Sequence, residues 1–86
     1  MRGLLGRSSL DADEGLLLRP ASSIHTAFMR FPIDAVFLDR DLVVVGVARE
    51  LPPWRAAARR GARAVLELTA GAAAHVNQGD RLRLES

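Results

Sequence analysis

The chain has 86 residues, 49% of them hydrophobic, and twelve basic against ten acidic side chains give a net charge of +2. That is one domain's worth of sequence, apolar enough to fold, and modestly charged for a dedicated nucleic-acid binder. There is no cysteine, which excludes disulfides, thiolate metal sites and a cysteine nucleophile.

Residues 1–86 are read as a single domain with a thin core, burying about 60–65% of the unfolded surface. No run approaches the roughly 18 apolar residues of a membrane span. The opening MRGLLGRSSL is too short and too polar for a secretory signal. The expectation is a cytoplasmic chain as given, exported if the gene encodes an upstream signal. All the basic residues are arginine, whose planar fork offers bidentate hydrogen bonding. Arg49, Arg55, Arg59, Arg60 and Arg63 face only Glu50 within residues 49–63, so that segment carries +4 and the rest −2. Attraction to an acidic partner is therefore expected to be local to it.

In chain order, RGLLGRSSL (residues 2–10) suits one helical turn and DADEG (11–15) an acidic turn. LLLR (16–19) is a short buried strand stopped by Pro20. Residues 24–29 suit a strand, and Pro32 marks a break because it donates no ladder hydrogen bond. IDAVFL (33–38) is rich in β-formers, DRD (39–41) supplies turn chemistry, and LVVVGVA (42–48) is apolar on both faces. These two strands form the expected hairpin, with Gly46 at a bulge or a close backbone approach. After LPP, residues 54–60 suit either two helical turns or an extended loop. AVLEL (64–68) is a strand, AGAAAHV (70–76) a short helix with Thr69 as its N-cap, NQGD a turn, and RLRLE (81–85) a last strand with Leu82 and Leu84 inward. The fold class is mainly β, at the margin of α+β. It is a small, mostly antiparallel barrel or sandwich of five to six strands with one or two short helices.

Five pieces in this order, RGLLGR, DEGLLL, HTAFMRFPIDAVFLDRD, AVLEL and GDRL, together resemble the DUF192 (UPF0127) family of small bacterial and archaeal proteins. The resemblance covers nearly the whole chain and implies a compact β-rich fold of unassigned biochemical function. Many family members have glycine where Leu42 stands, and a cysteine in the loop that here reads LPPWR.

Asp34 lies on the parity of Val36 and Leu38, so its carboxylate needs a partner. It either accepts backbone or arginine hydrogen bonds that fix the RFPID bend, with Arg30 the nearest arginine, or stands at a pocket mouth. His25 has one distant companion, His75, and no ligand set follows from their spacing with Asp34, Glu67 and Asp80, so no metal is expected. His75 suits the end of the expected helix. The serines lack a nucleophile elbow, no glycine-rich phosphate loop is present, and no cofactor is implied. Glu67 either faces solvent beside a cross-strand arginine or takes part in binding. Trp54 is a core plug or a stacking platform.

The favoured function is a non-enzymatic binding or accessory module for a small polar or anionic ligand or a partner protein. Its site is drawn from His25, Arg30, Asp34, Trp54 and Glu67, polar groups beside apolar walls. One alternative is a hydrolase using Asp34 and Glu67 as acid and base across one cleft. A second is a nucleic-acid module acting through the arginines of residues 49–63.

Overall fold

The computed structural model of the protein describes residues 15–27 and 30–83. Six strands run through them: β1 (Leu16–Leu18), β2 (Ser23–His25), β3 (Ile33–Leu38), β4 (Val44–Leu51), β5 (Ala56–Ala58) and β6 (Ala64–Thr69). They form two antiparallel sheets, one ordered β1-β6-β3-β4 and one pairing β2 with β5. The mainly β class and the strand count match the expectation, as does the β3–β4 hairpin.

β3 is buried at every position and pairs with β6 on one side and β4 on the other. Its branched and aromatic side chains suit a strand covered on both faces. Val36 and Leu38 join Leu17, Val44, Ala64, Leu66, Leu68 and Ala73 in one core, with Leu42, Val47, Val76 and Leu82 packed against it. Ile33, Ala35 and Phe37 join Ile24, Ala62 and Val65 in a second core on the opposite face. The β2–β5 ribbon covers this second face through Ile24 and Ala57.

Strict alternation fails in β4, for a visible reason. Phe37 pairs with Gly46 but Leu38 with Val44, so Val45 and Gly46 share one place in the ladder. This bulge reverses the phase, and Val44 and Val47 serve the first core while Val45 and Ala48 serve the second. Gly46 is also a close approach: a Cβ built there meets the Arg59 side chain at 2.6–2.8 Å. A second bulge sets Arg49 and Glu50 opposite Asp34 alone, with Glu50 in the left-handed region at φ 51°.

Several expectations need correction. Residues 70–76 form successive turns with bonds from Ala72, Ala74 and Val76 to the carbonyls of Thr69, Gly71 and Ala73, and among the described residues there is no helix. Gly71 has φ 94°, and the Gly71 and Ala73 N–H groups are drawn to a side-chain acceptor, so no helical ladder propagates. Residues 56–58 are a strand, because β2 offers them a pairing edge. β2 ends at His25 instead of running to residue 29. The expected last strand reduces to a single bridge, Val43 with Arg81, although Leu82 does pack inward. The helical turn expected over residues 2–10, the acidic turn expected over 11–15 apart from Gly15, and Leu84, Phe28 and Met29 lie outside the described residues.

Candidate functional site

Asp34 is a charged side chain that is 0% exposed. Its Oδ1 accepts the Glu50 N–H at 2.8 Å; its Oδ2 accepts the Gly71 N–H at 3.0 Å and the Ala73 N–H at 2.8 Å. A bulge and a tight turn each leave backbone donors outside the ladder, and a buried donor without an acceptor is costly. One carboxylate supplies both, and so ties the end of β4 and the 70–76 turns onto the first core. Its partners are backbone groups, and Arg30, which is exposed, is not among them. Asp34 thus joins three backbone segments.

Thr26, which sequence reasoning missed, does the same work on the second sheet. It is 0% exposed. Its hydroxyl donates to the Pro52 carbonyl at 2.6 Å and accepts the Arg55 N–H at 2.8 Å. The signal was its parity with Ile24, which also faces inward.

The arginine-rich segment proves dispersed in role. Arg49 donates to the Val76 carbonyl. Arg59 donates to the carbonyls of Ala58 and Val47 and lies 5.2 Å from the centre of the Phe37 ring. Arg55 donates to the Trp54 carbonyl. Three of the five guanidiniums therefore hold backbone carbonyls. Trp54 is 61% exposed, so it is not a core plug.

Glu67 and Asp34 cannot act together. Glu67 pairs with Ala35, whereas Asp34 pairs with Leu68. Directly paired residues share a face, so the two carboxylates project to opposite faces of the sheet. The two-carboxylate hydrolase loses its shared cleft.

What remains is the surroundings of Glu67. A depression of about 230 Å³ is lined by Leu16, Phe31, Ile33, Glu67, Leu68 and Thr69. Phe31 sits in the bend before Pro32 and is 57% exposed; Leu16 is 37% exposed. Both are large apolar groups left in water at the rim. The Glu67 carboxylate, half-buried, has no hydrogen-bond partner among the described residues. Burial pushes its pKa above the ordinary carboxylate value, and the charge of His25 pulls it partway back. Of the expected site residues, the fold thus brings His25 within electrostatic reach of Glu67. Among the described residues no group of three or more histidine, aspartate or glutamate side chains is placed to hold a metal. No helix there is long and apolar enough to cross a membrane.

The architecture is a small two-sheet antiparallel β domain locked by one buried aspartate, with an acidic, apolar-walled depression at one end. The family model DUF192, described as Uncharacterized ACR, COG1430, matches residues 1–84, and the chain belongs to that family. It is similar in structure to a protein of unknown function from Novosphingobium aromaticivorans DSM 12444, at 27% identity and a TM-score of 0.73. The match covers 94% of this chain and 64% of the other, so the chain spans just under two thirds of that protein's length. No curated protein matches the chain.

Proposed function

We propose that the domain is a non-enzymatic binding module whose depression around Glu67 takes a cationic group, an ammonium or guanidinium on a short apolar stem. The observation that carries this reading is the half-buried Glu67 carboxylate on an apolar floor, without a hydrogen-bond partner among the described residues. A carboxylate in that position gains from a charge-assisted donor more than a fully solvated one does. The exposed Phe31 ring adds a face on which a cation can rest. The sign of the charge favours a cation over the anionic ligand expected from the arginines. The volume is below the ~300 Å³ at which pockets for whole small molecules begin, which suits one side-chain-sized group. The source is either a free amine or a lysine or arginine of a partner protein.

The test is an NMR titration of the full chain with butylguanidinium, with butyrate, and with a capped Ala-Arg-Ala peptide. Saturable shifts at Leu16, Ile33 and Glu67 with butylguanidinium, absent with butyrate and lost in Glu67→Gln, are expected. Tighter binding of the peptide than of butylguanidinium assigns the source to a partner protein, and equal binding to a free amine. Equal shifts with butyrate, or unchanged binding by Glu67→Gln, would defeat the reading.

A further inference from the structure

The opposite end of the sheet carries a second depression, of about 300 Å³, lined by Arg19, Pro20, Asp39, Arg40, Arg63 and Ala64. We propose that Arg19, Arg40 and Arg63 form a binding site there for the doubly charged phosphoryl group of a small phosphomonoester. It stands independently of the Glu67 reading. β6 runs between the two places, with Ala64 at this depression and Glu67 to Thr69 at the other.

The three arginines come from three separate connections: after β1, within the β3–β4 turn, and just before β6. The backbone beneath them is fixed. The Arg63 N–H donates to the Leu38 carbonyl at 2.7 Å, and the Arg63 carbonyl accepts the Ala21 N–H at 3.0 Å. The turn holding Arg40 is closed by Asp39, whose N–H donates to the Val43 carbonyl at 2.9 Å. Asp39 Oδ1 accepts the N–H groups of Asp41 and Val43 at 2.8 and 3.0 Å.

Unlike Arg49, Arg55 and Arg59, these three guanidiniums make no hydrogen bond or ion pair among the described residues. Among those residues they hold nothing together, and three like charges around one depression repel each other. Among the described residues Asp39 is the one carboxylate on the wall, and its Oδ1 is engaged in the turn. Three positive charges against one negative leave an excess of two, the charge of a phosphoryl dianion. Guanidinium forks match phosphate oxygens bidentately. Pro20 and Ala64 give a short apolar wall for the ester's body. No aromatic side chain among the described residues lines the depression, whereas single-stranded nucleic acid is held on stacking platforms along a basic groove. That favours a small molecule.

The experiment is a titration of the full chain with glycerol phosphate, followed by NMR of arginine side chains and backbone amides. Saturable shifts are expected at Arg19, Arg40, Arg63 and Ala64. Binding should strengthen as pH rises from about 5 to about 7, because a phosphomonoester loses its second proton near ~6. Arg19→Gln, Arg40→Gln and Arg63→Gln should each weaken binding roughly two- to fivefold, as exposed ion pairs do, and the triple variant should abolish it. Arg83→Gln, outside the depression, should leave it unchanged. Equal weakening by Arg83→Gln, or equal competition by acetate, would show general screening and overturn the site. So would an oligonucleotide that binds more tightly than glycerol phosphate with a footprint extending beyond the depression.

Discussion

Asp34 and Glu67 sit one register step apart on neighbouring strands and project to opposite faces of the sheet. That single step separates their roles. Asp34 is sealed in with three backbone donors. Glu67 stays half-buried at a surface depression, where the charge of His25 partly offsets its burial. One carboxylate is engaged by the backbone around it, and the other has no hydrogen-bond partner among the described residues.

Asp34→Asn should lower stability by roughly 2–4 kcal/mol, since its amide nitrogen is turned on N–H groups that expect an oxygen. Asp34→Ala leaves three donors without an acceptor, each costing roughly 1–3 kcal/mol. Against a total of about 4–13 kcal/mol for a chain of this length, that should abolish cooperative folding at room temperature. Urea denaturation with an unchanged slope for Asp34→Asn checks the first outcome, and circular dichroism the second. A native-like midpoint for Asp34→Asn would return Asp34 to the functional candidates.

The raised Glu67 pKa fixes the sign of a pH effect. In the unfolded chain Glu67 loses its proton at the ordinary carboxylate value; in the folded domain burial delays that loss. Between the two values the folded state holds more protons, so stability falls as pH rises through that window and levels off above it. Glu67→Gln removes the effect. It should be more stable than the parent at neutral pH, with the gap closing in acid. Because Glu67 is half-exposed, the gap should stay below about 1 kcal/mol. His25→Ala removes the opposing charge and should move the carbon-detected Glu67 titration further upward. A downward move would contradict the placement of His25.

The strands were legible because their signals are local. IDAVFL is β-rich and even in period, and Asp34 falls on the parity of Val36 and Leu38 as its spacing requires. The phase change at Gly46 was partly legible, since a glycine inside a strand invites a bulge, but which residues it re-aims depends on the partner strand. The run AGAAAHV has the composition of a helix. Its Gly71 and Ala73 N–H groups were claimed by a carboxylate more than thirty residues earlier, and no local pattern encodes that. The same non-locality hid which of the candidate residues come together. His25 and Glu67, on different sheets, are far apart in the chain, as are Arg19, Arg40 and Arg63 in three separate connections, and only the tertiary fold gathers them. The charge run of residues 49–63 was plain in the sequence, whereas which of its arginines hold backbone carbonyls among the described residues was not.

Gly46 and Arg59 should prove strongly coupled. A Cβ at position 46 meets Arg59 Cγ, Cδ and Nε at 2.8, 2.7 and 2.6 Å, so Gly46→Ala cannot be accommodated while that side chain stays in place. The obstacle is a flexible side chain and not backbone, so the domain should still fold, with Arg59 displaced from the Phe37 ring and from the Val47 carbonyl. The loss is an exposed-edge cation–π contact and a long hydrogen bond, together about 1–2 kcal/mol. Arg59→Ala removes the same contacts directly and should cost a similar amount. Once Arg59 is truncated, the methyl that Gly46→Ala introduces no longer meets that side chain, and alanine in a strand is favoured over glycine by roughly 0.5–1 kcal/mol. Gly46→Ala should therefore be destabilising in the parent and neutral or stabilising in Arg59→Ala. A double-mutant cycle of urea midpoints reads this as a coupling of about 1–3 kcal/mol. Additive effects would mean that Arg59 does not rest against Gly46 in solution, and that the bulge alone explains the glycine.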